Sequence, residues 1–131
     1  MRRPKRGSTL VESAIVTTVF LTLLAGILQF GLIGFAYNSV CFAAHRAARF
    51  AAIRGNASGH PALTADVQAE ALSYITCLDT TALTVTTTWT PDKNPGSTVQ
   101  VNVAYRLTPF LVTVSSSAMT LQSTSRQIIV Q

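Results

Sequence analysis

Glu12 is the residue whose chemistry most needs an explanation. It stands near the start of an apolar run, residues 10–37, that is otherwise interrupted only by a few hydroxyls and Gln29. A carboxylate inside a hydrocarbon layer costs about 2.5–3.5 kcal/mol at its centre and less towards its edge. Two arrangements relieve that cost. Glu12 can sit at the membrane interface, where the positive end of a helix N-terminus favours an anion. Alternatively it can be paired with a cation, because a buried carboxylate is tolerable only when paired.

Other candidate chemistry is thin. His45 and His60 are the only histidines and there are two cysteines, Cys41 and Cys77. A metal site needs three or four convergent ligands, and no ligand-like spacing occurs, so no metal or other cofactor is expected. His45 reads as a helix-surface residue and His60 as part of a turn. Serines and threonines are abundant, but none lies in a nucleophile motif such as G-x-S-x-G or S-x-x-K. No acid/base pair accompanies them, and the chain is not expected to be an enzyme.

The elements that position these residues follow from charge and periodicity. Charged residues make up only 11% of the 131, and none occurs between Ser13 and Ala44, while Arg2, Arg3, Lys5 and Arg6 crowd the start. The net charge of +5 is mostly this cluster, so no nucleic-acid footprint remains for the rest of the chain. Residues 10–37 as a helix span about 42 Å, against about 30 Å of hydrocarbon. A cleaved signal peptide has an apolar region of about 7–15 residues, so the run is too long for one. The reading is a single-pass anchor. By the positive-inside rule the basic head stays in the cytoplasm and the residues after about Tyr37 lie in the periplasm or outside.

The helical pattern continues beyond the anchor. Val40, Ala44, Ala47 and Ala51 recur on one stripe, with Arg46 and Arg49 away from it, and the first helix is expected over residues 9–54. Gly55, Gly59 and Pro61 then mark a turn. A second helix is expected over residues 62–76, with Thr64 and Asp66 as capping candidates and Leu63, Val67, Ala71 and Tyr74 on its apolar face. The period then changes to two. Leu83, Val85, Thr87 and Trp89 alternate with threonines, and Val99, Val101, Val103, Tyr105 and Leu107 alternate with mostly polar residues. Residues 91–96, PDKNPG, form the turn between these strands. A two-stranded hairpin is marginal alone, so residues 119–130 are expected as a third, edge strand. The fold class is α+β: a long N-terminal transmembrane helix, a short second helix and a three-stranded antiparallel sheet.

The N-terminal sequence RRPKRG–STLVE, a basic leader ending in Gly7 with Glu12 five residues on and then a long apolar helix, resembles the processing site of type IV prepilins and pseudopilins. The following stretch narrows the resemblance. Gly7, Val11 and Glu12, then Ala43, Ala44, Ala48, Arg49, Phe50, Ala51 and Ala52, are similar to the G-x-x-x-V-E start and Ala-rich helix ending of the TadE-like pseudopilins of the tight-adherence pilus system. Met119-Thr120-Leu121 and Ser123-Thr124-Ser125 also suit that family. The resemblance implies a type IV pilin-like fold and cleavage between Gly7 and Ser8 by a prepilin peptidase. It implies a leader of residues 1–7, a transmembrane half over 8–37 and an exported domain over 38–131. Glu12 of one subunit would then pair with the new amino group of a neighbour. The implied partners are other pilin or pseudopilin subunits, the inner-membrane assembly platform, the peptidase and, before assembly, the lipid bilayer. The implied location is the bacterial inner membrane, and the cell surface once built into a pilus.

Gly26, Gly31 and Gly34 are expected to let helices approach closely within the membrane, and Ala44, Ala47 and Ala51 to serve packing further along. Cys41 and Cys77 are expected to form a disulfide, because a second helix folding back from the turn and running to Cys77 returns the sulfurs to one level. The competing reading is a signal-anchored binding or accessory module that is neither processed nor polymerised.

Overall fold

A computed structural model describes residues 6–108 and 118–130. The first helix, α1, runs over Arg6–Ile53 without a break. At 1.5 Å per residue its 48 residues extend about 72 Å. It contains no proline, and three hydroxyls along it bond back to the preceding turn. Thr18 Oγ1 donates to Ala14 O at 2.8 Å, Thr22 Oγ1 to Thr18 O at 2.8 Å and Ser39 Oγ to Phe35 O at 2.9 Å.

The two halves of α1 have different surroundings. Leu10, Ile15, Phe20, Ile27 and Phe30 are 60–79% exposed, so the N-terminal half stands free of the rest of the chain. From Ala36 onward one face is covered: Ala36, Val40, Ala43, Ala44, Ala47, Ala48, Ala51 and Ala52 are all buried. The expected stripe is therefore present and widened by further alanines. Their small side chains let a sheet lie close to the helix axis, and the valines of the sheet fill the space between.

Helix α2 covers Thr64–Ser73, shorter than expected at both ends. Asp66 caps it, its Oδ2 accepting from Leu63 N at 3.1 Å. Val67 and Ala71 face the core as expected, but Leu63 is 61% exposed and Tyr74 37% exposed, while Ile75 is buried. Leu63 stands before the first helical turn in extended conformation, so the helical period does not apply to it.

The sheet has the order β1-β2-β3 and is antiparallel throughout, with β1 at Leu83–Thr90, β2 at Thr98–Leu107 and β3 at Met119–Ile128. Val85 pairs with Val103, Thr87 with Val101 and Trp89 with Val99. Central strand β2 supplies the buried Val99, Val101, Val103 and Tyr105. β3 is the expected edge strand. Its inward positions Ser123 and Ser125 lie opposite Val103 and Val101 and are only half-buried, which is why its alternation is blurred in the sequence.

The far end of the fold is closed by backbone hydrogen bonds between segments distant in sequence. Asn56 N donates to Lys93 O at 2.9 Å and Ala62 N to Arg54 O at 2.8 Å. Ile129 N donates to Ser97 O at 2.8 Å, Gly96 N to Ile129 O at 2.9 Å and Val130 N to Ala52 O at 3.1 Å. Lys93 Nζ reaches Ala62 O at 2.9 Å and lies 4.2 Å from the centre of the Trp89 indole. The β1–β2 turn thus holds together the end of α1, the linker and the C-terminal residues.

Candidate functional site

The candidate site is α1 itself, read from its start. Gly7 lies in the first turn, and a Cβ there would meet no atom within 4 Å among the described residues outside its own helix backbone. Residues 1–5 of the basic leader, and the side chain of Arg6, lie outside the described residues. Ser8 and Glu12 are exposed on the first turns. The Glu12 carboxylate makes no ion pair among the described residues.

Gly26, Gly31 and Gly34 have no atom within 4 Å of an added Cβ, so they accommodate no contact within this chain. Shallow apolar grooves run along this half of the helix, one lined by Thr18, Leu21, Thr22, Ala25 and Gly26 and another by Thr22, Leu23, Gly26, Ile27 and Phe30. They are the troughs that small residues leave between rows of larger ones. By contrast Ala44, Ala47 and Ala51 are buried in the core that α1 shares with this chain's own sheet and α2. Gln29 was visible in the sequence only as an interruption. Its Oε1 is shielded from solvent and has no hydrogen-bond donor among the described residues.

The bridge expected between Cys41 and Cys77 is not formed; both are free thiols. The expectation required α2 to run on to Cys77. The helix instead ends at Ser73, and Cys77 sits exposed in left-handed conformation, φ 71°, beyond it. His45 is exposed on α1 and His60 exposed in the turn after it. No group of three or more His, Cys, Asp or Glu side chains placed to hold a metal occurs among the described residues.

One contact group escaped the sequence. The Arg46 guanidinium lies 5.1 Å from the centre of the Phe42 ring and 5.6 Å from that of Tyr74, and the two rings meet edge to face. Phe42 and Arg46 are four residues apart on one helix face, a signal available in principle. The third member arrives only through the packing of α2.

The Gly7–Ile53 stretch of α1 is long and apolar enough to cross a membrane, with a mean hydropathy of 2.2 in its most apolar window. Its start, its carboxylate and its alanine-lined second half are the features on which the resemblance rests. Residues 7–49 match the family model for TadE-like proteins. That TadE-like segment contains Gly7, Val11, Glu12, Ala43, Ala44, Ala48 and Arg49, and it ends just before Phe50, Ala51 and Ala52. It covers both the free half of α1 and most of the half beneath the sheet. No curated protein and no solved structure matches the chain.

Proposed function

We propose that this chain is a minor pilin or pseudopilin, a structural and assembly subunit of a tight-adherence-type pilus. A prepilin peptidase removes the leader after Gly7, and the subunit assembles with other pilins through α1. The observation that carries this reading is the division of α1 within a TadE-like segment: a bare apolar half bearing a lone carboxylate, then a half clad by its own sheet. A bare apolar helix is stable in only two settings, a bilayer or a bundle of similar helices, and a pilin passes from the first to the second.

In this reading the leader charges hold the helix at the cytoplasmic face of the inner membrane and the sheet-bearing part lies in the periplasm. Cleavage removes four cations and exposes the Ser8 amine. Glu12 of one subunit pairs with that amine on another and sets their relative height. Gly26, Gly31 and Gly34 admit the neighbouring helices. The hydroxyls of Thr18 and Thr22 add no unsatisfied group, because their own helix accepts them.

The test is Glu12→Ala in the full-length protein. Membrane insertion should be unchanged or slightly improved, because a costly polar group leaves the span. Co-purification with the other pilus subunits should fail or fall sharply. Unchanged co-purification would leave Glu12 as an interfacial residue only.

A further inference from the structure

Above the apolar half, α1 has a strip that the sheet does not cover and that the end of α2 touches only through the Phe42–Tyr74 contact. Asn38, Phe42, His45, Arg49 and Ile53 follow one another at helical spacing and every one is exposed. Arg49 is unpaired among the described residues, and the strip carries no acid. Beside it, α2 and its end present Asp66, Glu70 and Tyr74 at intervals of four, an acidic strip with no cation. Asp66 caps its own helix through Oδ2, and Glu70 has no ion partner among the described residues. Arg46, which lies between the strips, is occupied by the Phe42 and Tyr74 rings.

The heights of the two strips match. Tyr74 meets α1 at the level of Phe42 and Arg46, and α2 runs antiparallel to α1. Glu70 is therefore about 6 Å above Tyr74, and Arg49 about 7 Å above the midpoint of Phe42 and Arg46, at 1.5 Å per helical residue. Asp66 rises to the level of Ile53 by the same count. One surface thus bears a single cation, Arg49, beside the acids Glu70 and Asp66, with Arg49 and Glu70 at about equal height and not paired with each other among the described residues.

We propose that this surface binds a second copy of the same chain, the two related by a two-fold axis along the membrane normal. Such an axis leaves heights unchanged, so the α1 strip of each copy faces the α2 strip of the other and Arg49 meets Glu70 twice. Complementary charges select this partner and orientation, and they reject the arrangement that sets like strips together. Exposed Phe42 and Ile53 add apolar area to the contact. The inference rests on the reading that α1 anchors both copies in one membrane with the same orientation.

The experiment uses two differently tagged full-length populations in one membrane, both carrying Cys41→Ser and Cys77→Ser. One also carries Arg49→Cys and the other Glu70→Cys, and a short bis-maleimide is added. The mixed 49–70 product should exceed the 49–49 and 70–70 products obtained from matched pairs. Separately, Arg49→Glu or Glu70→Arg alone should lower dimer yield about tenfold on native gels, and the two together should restore it. These positions are exposed or half-buried, and an unchanged circular dichroism spectrum checks the fold. Dimer yield indifferent to the single reversals would overturn the proposal while leaving the anchor and the role of Glu12 standing. Reversals that displace a different protein without changing self-association would overturn it equally. Recovery of the chain in the soluble fraction would overturn the anchor reading itself.

Discussion

Phe42 of α1 and Tyr74 at the end of α2 meet edge to face, their ring centroids 5.6 Å apart and their planes at 81°. With the Arg46 guanidinium over both rings, this contact ties the short helix to the long one at the end opposite the linker. An edge-to-face pair contributes about 0.5–1.5 kcal/mol beyond area burial, and a partly exposed cation–π contact about 0.5–1 kcal/mol. Tyr74→Ala should therefore destabilise the fold by about 1–2 kcal/mol, and Arg46→Ala by less. Urea unfolding of the micelle-solubilised chain measures both. Equal, additive losses in the double variant would show that the three groups do not act together.

The sheet face against α1 should be far more sensitive than its outer face. Val101 is fully buried opposite Thr87, whereas Thr86 on the other face is exposed. Val101→Ala removes buried methyl groups and should cost about 2 kcal/mol. Thr86→Ala should stay within about 0.5 kcal/mol. The same unfolding measurement checks the pair, and similar losses at both positions would contradict the orientation of the sheet.

Two turn carboxylates set an acid limit on stability. The Ser97 hydroxyl, with Asn94 N, holds the Asp92 carboxyl below its usual range, and the Thr81 hydroxyl and N–H do the same for Asp79. A depressed folded-state value means that the contribution is complete above the unfolded value of about 3.9 and is lost as pH falls through the folded one. Thermal midpoints should therefore fall as pH drops below about 4, and less steeply in Asp92→Asn with Asp79→Asn. Identical acid profiles would contradict this.

Without reductant, a maleimide should label both cysteines, Cys77 faster because it is exposed and Cys41 is half-buried. Labelling that appears only after reduction would restore the bridge that the sequence suggested.

What was legible in the sequence followed from period. The alanine stripe of α1, the alternation of β1 and β2 and the turn between them are local patterns imposed by one covered face, and each is present. The end of α2 was not legible, because nothing in Tyr74 to Thr76 forbids a helix. The chain leaves it there as Ile75 turns into the core and Cys77 adopts positive φ. Leu63 was assigned to a helix face on which it does not lie. The Phe42–Arg46–Tyr74 group was hidden because one member comes from another helix. At the candidate site, charge and spacing singled out Gly7 and Glu12, and the structure places both in the first turns of α1. The separation of α1's alanines, used within the chain, from its glycines, left open, required the packing.

The central claim is that the chain is cut after Gly7 and assembled as a pilin, and intact-mass measurement of protein extracted from membranes containing the cognate peptidase tests it most directly. The account predicts a mature chain beginning at Ser8, with or without a methyl group on its amine, and retention of the leader in Gly7→Leu, where a Cβ and its branches obstruct close approach to the backbone. A mature chain that still carries Arg2, Arg3, Lys5 and Arg6 in the presence of that peptidase would contradict it.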